Sequence, residues 1–170
     1  MTIEPLAKSN WPALQTQILS IEAGSYEVAR RDPQEFIEKI VLHQGSVSFV
    51  TMLSTSVSGF CIAGPLEEFA TVRGPDDDTT LESGLTLYAA DTCVTRQFQG
   101  QGIGRQLKKA QIKKARALGY RKISGRNRVG MADTMWKLNQ SFGANIIEVM
   151  DDVYKDGLTP DQSIYYHITV

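Results

Sequence analysis

Only two of the 170 residues are cysteine, Cys61 and Cys93, and each lies inside an apolar, strand-like run. Thiols so placed read as buried and reduced, which argues against a disulfide framework and for a cytoplasmic protein. No stretch approaches the roughly 18 uninterrupted apolar residues of a membrane span. The opening Met1-Thr2-Ile3-Glu4-Pro5 has neither the basic start nor the apolar centre of a signal peptide. Repeats and low-complexity tracts are missing as well. What remains is ordinary for a globular protein: 42 % apolar and 22 % charged residues, in a length that suits one domain over residues 1–170.

Acidic residues are absent from one long segment. Between Thr92 and Ala132 there are eleven lysines and arginines and no aspartate or glutamate, although the net charge of the whole chain is −1. Such a basic half suggests an anionic partner. Aromatics in the segment are few (Phe98 and Tyr120), and it carries no helix-turn-helix, zinc or RNA-recognition signature, so a nucleic acid is not the expected partner. Lys109, Lys113 and Arg116 read as the solvated face of a helix. Arg96, Arg105 and Arg126 flank a loop or end a strand.

The segment opens on Val94-Thr-Arg-Gln-Phe-Gln-Gly-Gln-Gly-Ile-Gly-Arg-Gln-Leu107, where Gly100, Gly102 and Gly104 alternate. An apolar run, Leu85–Val94, leads in, and a helical pattern leads out. Glycine admits backbone angles that other residues avoid and lets main chain approach a ligand. The first amides of a helix have no intrahelical partner, so the turn suits a phosphate or pyrophosphate. The dinucleotide pattern G-x-G-x-x-G fails here, because position 105 is Arg and no acid stands near position 120. The P-loop pattern fails too, since Arg105-Gln106 replaces its Lys-Ser/Thr pair.

The remaining spacing is Q-x-x-G-x-G, read as Gln99-Gly100-Gln101-Gly102-Ile103-Gly104 after a strand. It resembles motif A of the GNAT superfamily of N-acetyltransferases, whose loop and helix hold the pyrophosphate of acetyl-coenzyme A. A second stretch, Met135-Trp136-Lys137-Leu138-Asn139-Gln140-Ser141-Phe142-Gly143-Ala144, looks like the family's closing helix, M-x-x-L-N-x-x-L-G-F. Many members carry on this helix a tyrosine that protonates the departing thiolate. Asn139 stands at that place here and leaves the general acid unassigned.

Coarse periodicity extends the resemblance over the chain. Thr2–Leu6 reads as an edge strand. Asn10 caps a helix from Trp11 that Gly24-Ser25 breaks, and Asp32-Pro33-Gln34-Glu35 starts a second helix that Gly45 ends. Val47–Leu53 and Val57–Ala63 form a hairpin. Gly64–Gly84 is a long link with an acidic tip at Asp76-Asp77-Asp78, followed by the Leu85–Val94 strand. A helix over Gly102–Leu118 buries Ile103, Leu107, Ala110 and Leu118. Then come a strand Arg121–Gly125, a helix Met131–Phe142 and strands Ala144–Tyr154 and Ser163–Val170. The expected fold is therefore α/β with a mixed α+β sheet, in the GNAT-like order β-αα-βββ-α-β-α-ββ with a splayed central sheet.

The resemblance implies an acetyl-CoA-dependent N-acetyltransferase. It implies coenzyme contacts from Gln99, Gly100, Gln101, Gly102, Ile103, Gly104 and Arg105. It also implies backbone contacts from Thr92, Cys93 and Val94 on the splayed strand. Asn127 and Asn139 are side-chain candidates for the pantetheine arm, and Asn127 equally suits a helix cap. The residue eleven before the motif glutamine, where members often place a base, is Tyr88, which is not a ready base at neutral pH. Asp91 lies on the same strand but faces the other way by alternation. Glu22 and Glu27 lie where the family builds its acceptor pocket. His43 and His167 read as structural. A water relay from Tyr88 or Glu22, with direct attack in a ternary complex, is the expected mechanism. The expected acceptor is a small or amino-acid-like primary amine, and the acidic link over Glu67–Glu82 suits a cation. No metal, nucleic acid or membrane is expected, and a homodimer is common in the family. A non-catalytic acyl-CoA-binding module of the same fold is the alternative.

Overall fold

A computed structural model describes every residue from Met1 to Val170. Seven strands make a mixed sheet in the order β1-β2-β3-β4-β5-β7-β6, so the α/β class and the order of elements agree with the sequence. Two compact units emerge: Met1–Gly64 with Ala90–Lys114, and Pro65–Ala89 with Ala115–Val170.

In the first unit, β1 (Thr2–Pro5) pairs antiparallel with β2 (Phe49–Leu53), which forms a hairpin with β3 (Ser56–Pro65). Pro5 is tolerated because β1 is an edge strand. Helix α1 (Trp11–Ser25) buries Trp11, Ile18 and Glu22. Burial of a side chain such as Ile18 stabilises by about 1.5–3 kcal/mol. Asn10 precedes α1 but caps nothing with its side chain. The amide instead accepts from the Ala7 N–H and donates to the Pro5 carbonyl, tying the strand's end to the helix. Gly24 does not break the helix; it lies exposed within the last turn. Helix α2 (Gln34–Leu42) starts one residue later than its capping pattern suggests, with Pro33 as N-cap. The N–H of Asp32 is taken by the Glu22 Oε1 at 2.9 Å, so a buried carboxylate fixes the link between the helices. His43, not Gly45, closes α2.

Helix α3 (Ile103–Ala117) turns a different stripe inward from the one its alanines and leucines suggest. Ile103, Leu107, Lys108, Gln111, Ile112 and Ala115 are buried, Ala110 is half-buried and Leu118 is exposed. Lys108 donates to Gln111 Oε1 at 3.2 Å, and Gln111 donates to the Val47 carbonyl at 3.3 Å. Two polar side chains thus satisfy one another in the core, while Leu118, expected there, is exposed.

In the second unit, Thr86–Ala89, the first part of β4 (Thr86–Val94), runs parallel to β5 (Lys122–Arg128). The latter is longer than the run ending at Gly125 because Arg126, Asn127 and Arg128 continue its pairing with β7 (Gln162–Thr169). Helix α4 (Asp133–Gln140) follows β5, and β6 (Asn145–Asp151) pairs with β7 at the sheet's edge. Ile146, Ile147 and Val149 on β6 are each about half exposed. The Gly64–Gly84 link is better ordered than its composition suggests. It holds two 3-10 turns, Leu66–Phe69 and Pro75–Asp77, with Leu66 and Phe69 buried. Asp78 is no solvated tip: it accepts from Tyr165 at 2.5 Å and from Thr80, and lies 2.6 Å from His167 Nε2.

Candidate active site

The register of β4 with β5 covers only four pairs, Thr86–Lys122 to Ala89–Gly125. Past that point β4 runs on through Ala90–Val94 and β5 through Arg126–Arg128.

After Val94 the chain makes a 3-10 turn at Arg96–Phe98 and then the glycine loop. Gly100 and Gly102 have φ of +75° and +80°, in the region that favours glycine, and an added Cβ at either would meet nothing within 4 Å. The loop is open and exposed, and α3 begins directly after it at Ile103 without an acid in its first turn. Unpaired helix amides there attract an anion. Gln99 donates through Nε2 to the Val94 carbonyl at 2.9 Å, and Gln101 does so to Gln97 at 3.2 Å. The motif glutamine thus straps the loop to the end of β4. Gly59 on β3 escaped the sequence reading. A Cβ there would stand 2.9 Å from the Cys93 carbonyl oxygen and 3.3 Å from Ile103 Cγ2, so only glycine lets β3 pass beside the loop's root. Thr92 and Val94 are half-buried, Cys93 is buried, and Arg105 is exposed.

On the inward face of β4 in the same unit, Asp91 accepts from the Tyr26 hydroxyl at 2.6 Å and from the Cys93 thiol at 3.4 Å. Burial raises the Asp91 carboxyl to about 6 despite these donors. Burial likewise pushes up the Cys93 thiol, with the Asp91 charge adding to it, which removes Cys93 as a nucleophile. Glu22 is also raised, chiefly by burial, against the opposing hydrogen bond from Asp32. Glu27 is exposed and pairs with Arg30 at 3.2 Å.

In the second unit, Asn127 and Asn139 come together. The Asn139 Nδ2 donates to Asn127 Oδ1 at 2.9 Å and to the Tyr166 hydroxyl at 3.0 Å. Asn139 is fully buried, yet its Oδ1 has no hydrogen-bond partner. Asn127 is thereby a partner of Asn139, and the cap of α4 is Ala132. Tyr88 is buried, with its ring 4.6 Å from that of Phe69. Tyr166 is the residue the sequence reading missed. It lies opposite Gly125 in the β5–β7 register, a relation with no local cue in the sequence.

The model of the acetyltransferase (GNAT) family matches residues 11–130, well over half of the chain. The chain belongs to that family. It is therefore an N-acetyltransferase that takes its acetyl group from acetyl-coenzyme A. No curated protein sequence matches it. Among solved structures, it is similar to the ribosomal-protein-S18-alanine N-acetyltransferase of Escherichia coli, at 17 % identity and a TM-score of 0.72, covering 99 % of this chain and 93 % of that one. A GNAT family acetyltransferase from Elizabethkingia anophelis with acetyl-CoA bound is 18 % identical, with a TM-score of 0.67 and coverage of 99 % and 97 %. Arabidopsis thaliana Naa50, in complex with the bisubstrate analogue CoA-Ac-MVNAL, is 15 % identical, with a TM-score of 0.72 and coverage of 99 % and 98 %. At these identities the likeness to each solved GNAT structure is one of fold. No helix of this GNAT chain is long and apolar enough to cross a membrane.

Proposed function

We propose that residues 1–170 act as one cytoplasmic N-acetyltransferase domain that moves the acetyl group of acetyl-CoA onto a primary amine of a small or amino-acid-like acceptor. The observation that carries the reading is the glycine loop: two open positive-φ glycines, strapped to β4 by Gln99, deliver the start of α3 to an anion. In this reading Gln99, Gly100, Gln101, Gly102, Ile103, Gly104 and Arg105 hold the pyrophosphate. The main chain of Thr92, Cys93 and Val94 takes the pantetheine and polarises the thioester carbonyl, while Asn127 and Asn139 contact the pantetheine arm.

The amine attacks the carbonyl directly. Both thiols are buried and held protonated, Cys61 being pushed up to about 12 by burial, which disfavours an acyl-enzyme. A water relayed by Glu22 or Tyr88 removes the amine's proton, and the burial that raises Glu22 moves it toward the range a general base needs. The protein is offered acetyl-CoA with small amines, amino acids and peptides with free N-termini, and thiol release is followed. Turnover with small amines or amino acids supports the reading. Turnover with peptides alone replaces the acceptor, and no thiol release with any amine defeats it.

A further inference from the structure

Two hydroxyls are buried in a hairpin whose strands are mostly apolar there. On β3, within Val57-Ser-Gly-Phe-Cys-Ile-Ala63, Ser58 is buried, and so is Thr51 on β2. The register of the two strands slips at this place. Thr51 stands opposite Gly59 and Met52 opposite Val57, so Ser58 is an extra residue in β3. Ser58 Oγ donates to Thr51 Oγ1 at 2.9 Å, and Thr51 Oγ1 donates in turn to the Gly59 carbonyl at 3.2 Å. Buried hydroxyls cost free energy unless bonded, and a β-bulge re-aims the groups beside it.

The groups so aimed meet the end of β4. The Ser58 carbonyl accepts from the Thr95 N–H at 3.0 Å. One residue on, a Cβ at Gly59 would stand 2.9 Å from the Cys93 carbonyl oxygen and 3.2 Å from Val94 Cγ2. The Cys93–Val94 peptide is planar and trans, so this carbonyl and the Val94 N–H are opposite ends of one rigid unit. With the carbonyl against β3, the Val94 N–H points away from it. The register of β4 with β5 has by then ended, at Ala89.

We propose that Gly59, Ser58 and Thr51 are positioning residues: their bulge sets the Cys93–Val94 peptide so that the Val94 N–H meets the thioester carbonyl of acetyl-CoA. The inference rests on the acetyl-CoA reading, and every residue it uses lies in the first unit. A main-chain donor polarises a carbonyl only where it is already aimed, and misplacement by about 1 Å costs on the order of 10²-fold in rate. The missing Cβ at Gly59 lets the carbonyl end of the unit lie close to β3. The Thr51 hydroxyl holds Gly59 there, and the Ser58 carbonyl fixes the peptide that follows.

Two variants test this, with thermal unfolding confirming each fold. Gly59→Ala presses on the Cys93 carbonyl, and Thr51→Val removes the hydroxyl without adding bulk. We expect kcat to fall by on the order of 10- to 100-fold in Gly59→Ala, and less in Thr51→Val. Affinity for ADP, which carries a pyrophosphate and no pantetheine, should stay unchanged in both. A further readout needs no turnover: the infrared stretch of bound acetyl-CoA, isotope-labelled at the thioester carbonyl. It should lie below the free value in the wild type and return toward it in both variants, while Thr51→Ser, which keeps a hydroxyl, retains the wild-type value. If acetyl-CoA binds and the stretch is the same in wild type and both variants, the positioning role is overturned and the coenzyme reading survives. If Gly59→Ala does not fold, Thr51→Val decides alone, and failure of both to fold makes the bulge structural only and overturns the role. If acetyl-CoA fails to bind the wild type, both readings fall together.

Discussion

The Tyr26 hydroxyl donates to Asp91 Oδ1 at 2.6 Å, joining the end of α1 to the middle of β4 through a carboxyl that is only 7 % exposed. This bond is too little to keep the group at its ordinary pKa, because loss of solvation outweighs it and lifts the carboxyl to about 6.

A pH dependence of stability follows. The folded-state value of Asp91 lies above the unfolded one, so its favourable share is complete below pH ~4 and is lost as pH rises through 6. Asp91→Asn keeps an acceptor for Tyr26 and cannot ionise. The variant should gain stability relative to wild type between pH 4 and 6.5, by about 2–3 kcal/mol at most. Denaturant unfolding at several pH values measures the difference, and a gap that does not change with pH would refute the assignment.

Lys108 predicts a window at the opposite end of the scale. Burial lowers its ammonium to about 8, so the folded state releases a proton more readily than the unfolded chain. Wild-type stability should therefore rise, relative to Lys108→Met, as pH climbs from 8 to 10. At pH 7 the methionine variant should be the more stable, by about 1–3 kcal/mol, because no buried charge is left to desolvate. Melting temperatures of the two proteins at pH 7 and pH 10 decide it.

Gly102→Val should abolish coenzyme binding while the fold persists. Its branched side chain enters space that is open in the protein, so no packing clash forces unfolding. The φ of +80° adds a conformational cost of about 1–2 kcal/mol, to be read as a modest drop in melting temperature. Calorimetry with CoA measures the binding. Unchanged affinity would take the glycine loop out of the site.

Asn139→Ala should weaken CoA binding by about 1–2 kcal/mol, the range for a lost polar contact. The maximal rate should fall far less than the ~10²-fold loss of a proton donor, and no basic limb of the pH–rate profile should vanish. Steady-state kinetics beside calorimetry separates the two effects. A large rate loss at unchanged affinity would make Asn139 a participant in the chemical step.

The glycine loop was legible in the sequence because its requirements are local. Positive φ, an open turn and a helix start are all written within Gln99–Ile103. The order of elements along the chain was legible for the same reason, since each element has its own period. What the sequence hid is contact between distant segments. Lys108 and Gln111 look solvated on a helical wheel, and only the backbone carbonyl of Val47 makes a buried amide acceptable there. Asp78 reads as a loop tip until Tyr165 and His167 arrive from the last strand. Tyr166 gives no local cue at all: its hydroxyl lies by a glycine 41 positions earlier on β5 and accepts from an asparagine on α4.

At the sheet's margin, β6 leaves three apolar side chains half exposed around a mid-strand carboxylate, Glu148, with Asp151 at the strand's end. An edge with this much hydrocarbon is an invitation to lamination, in which one copy adds its strand to the next and the process need not close. A charge at mid-strand makes every such addition bring like charges together. On such an edge Glu148 opposes copy-to-copy strand pairing more directly than the net charge of −1 does.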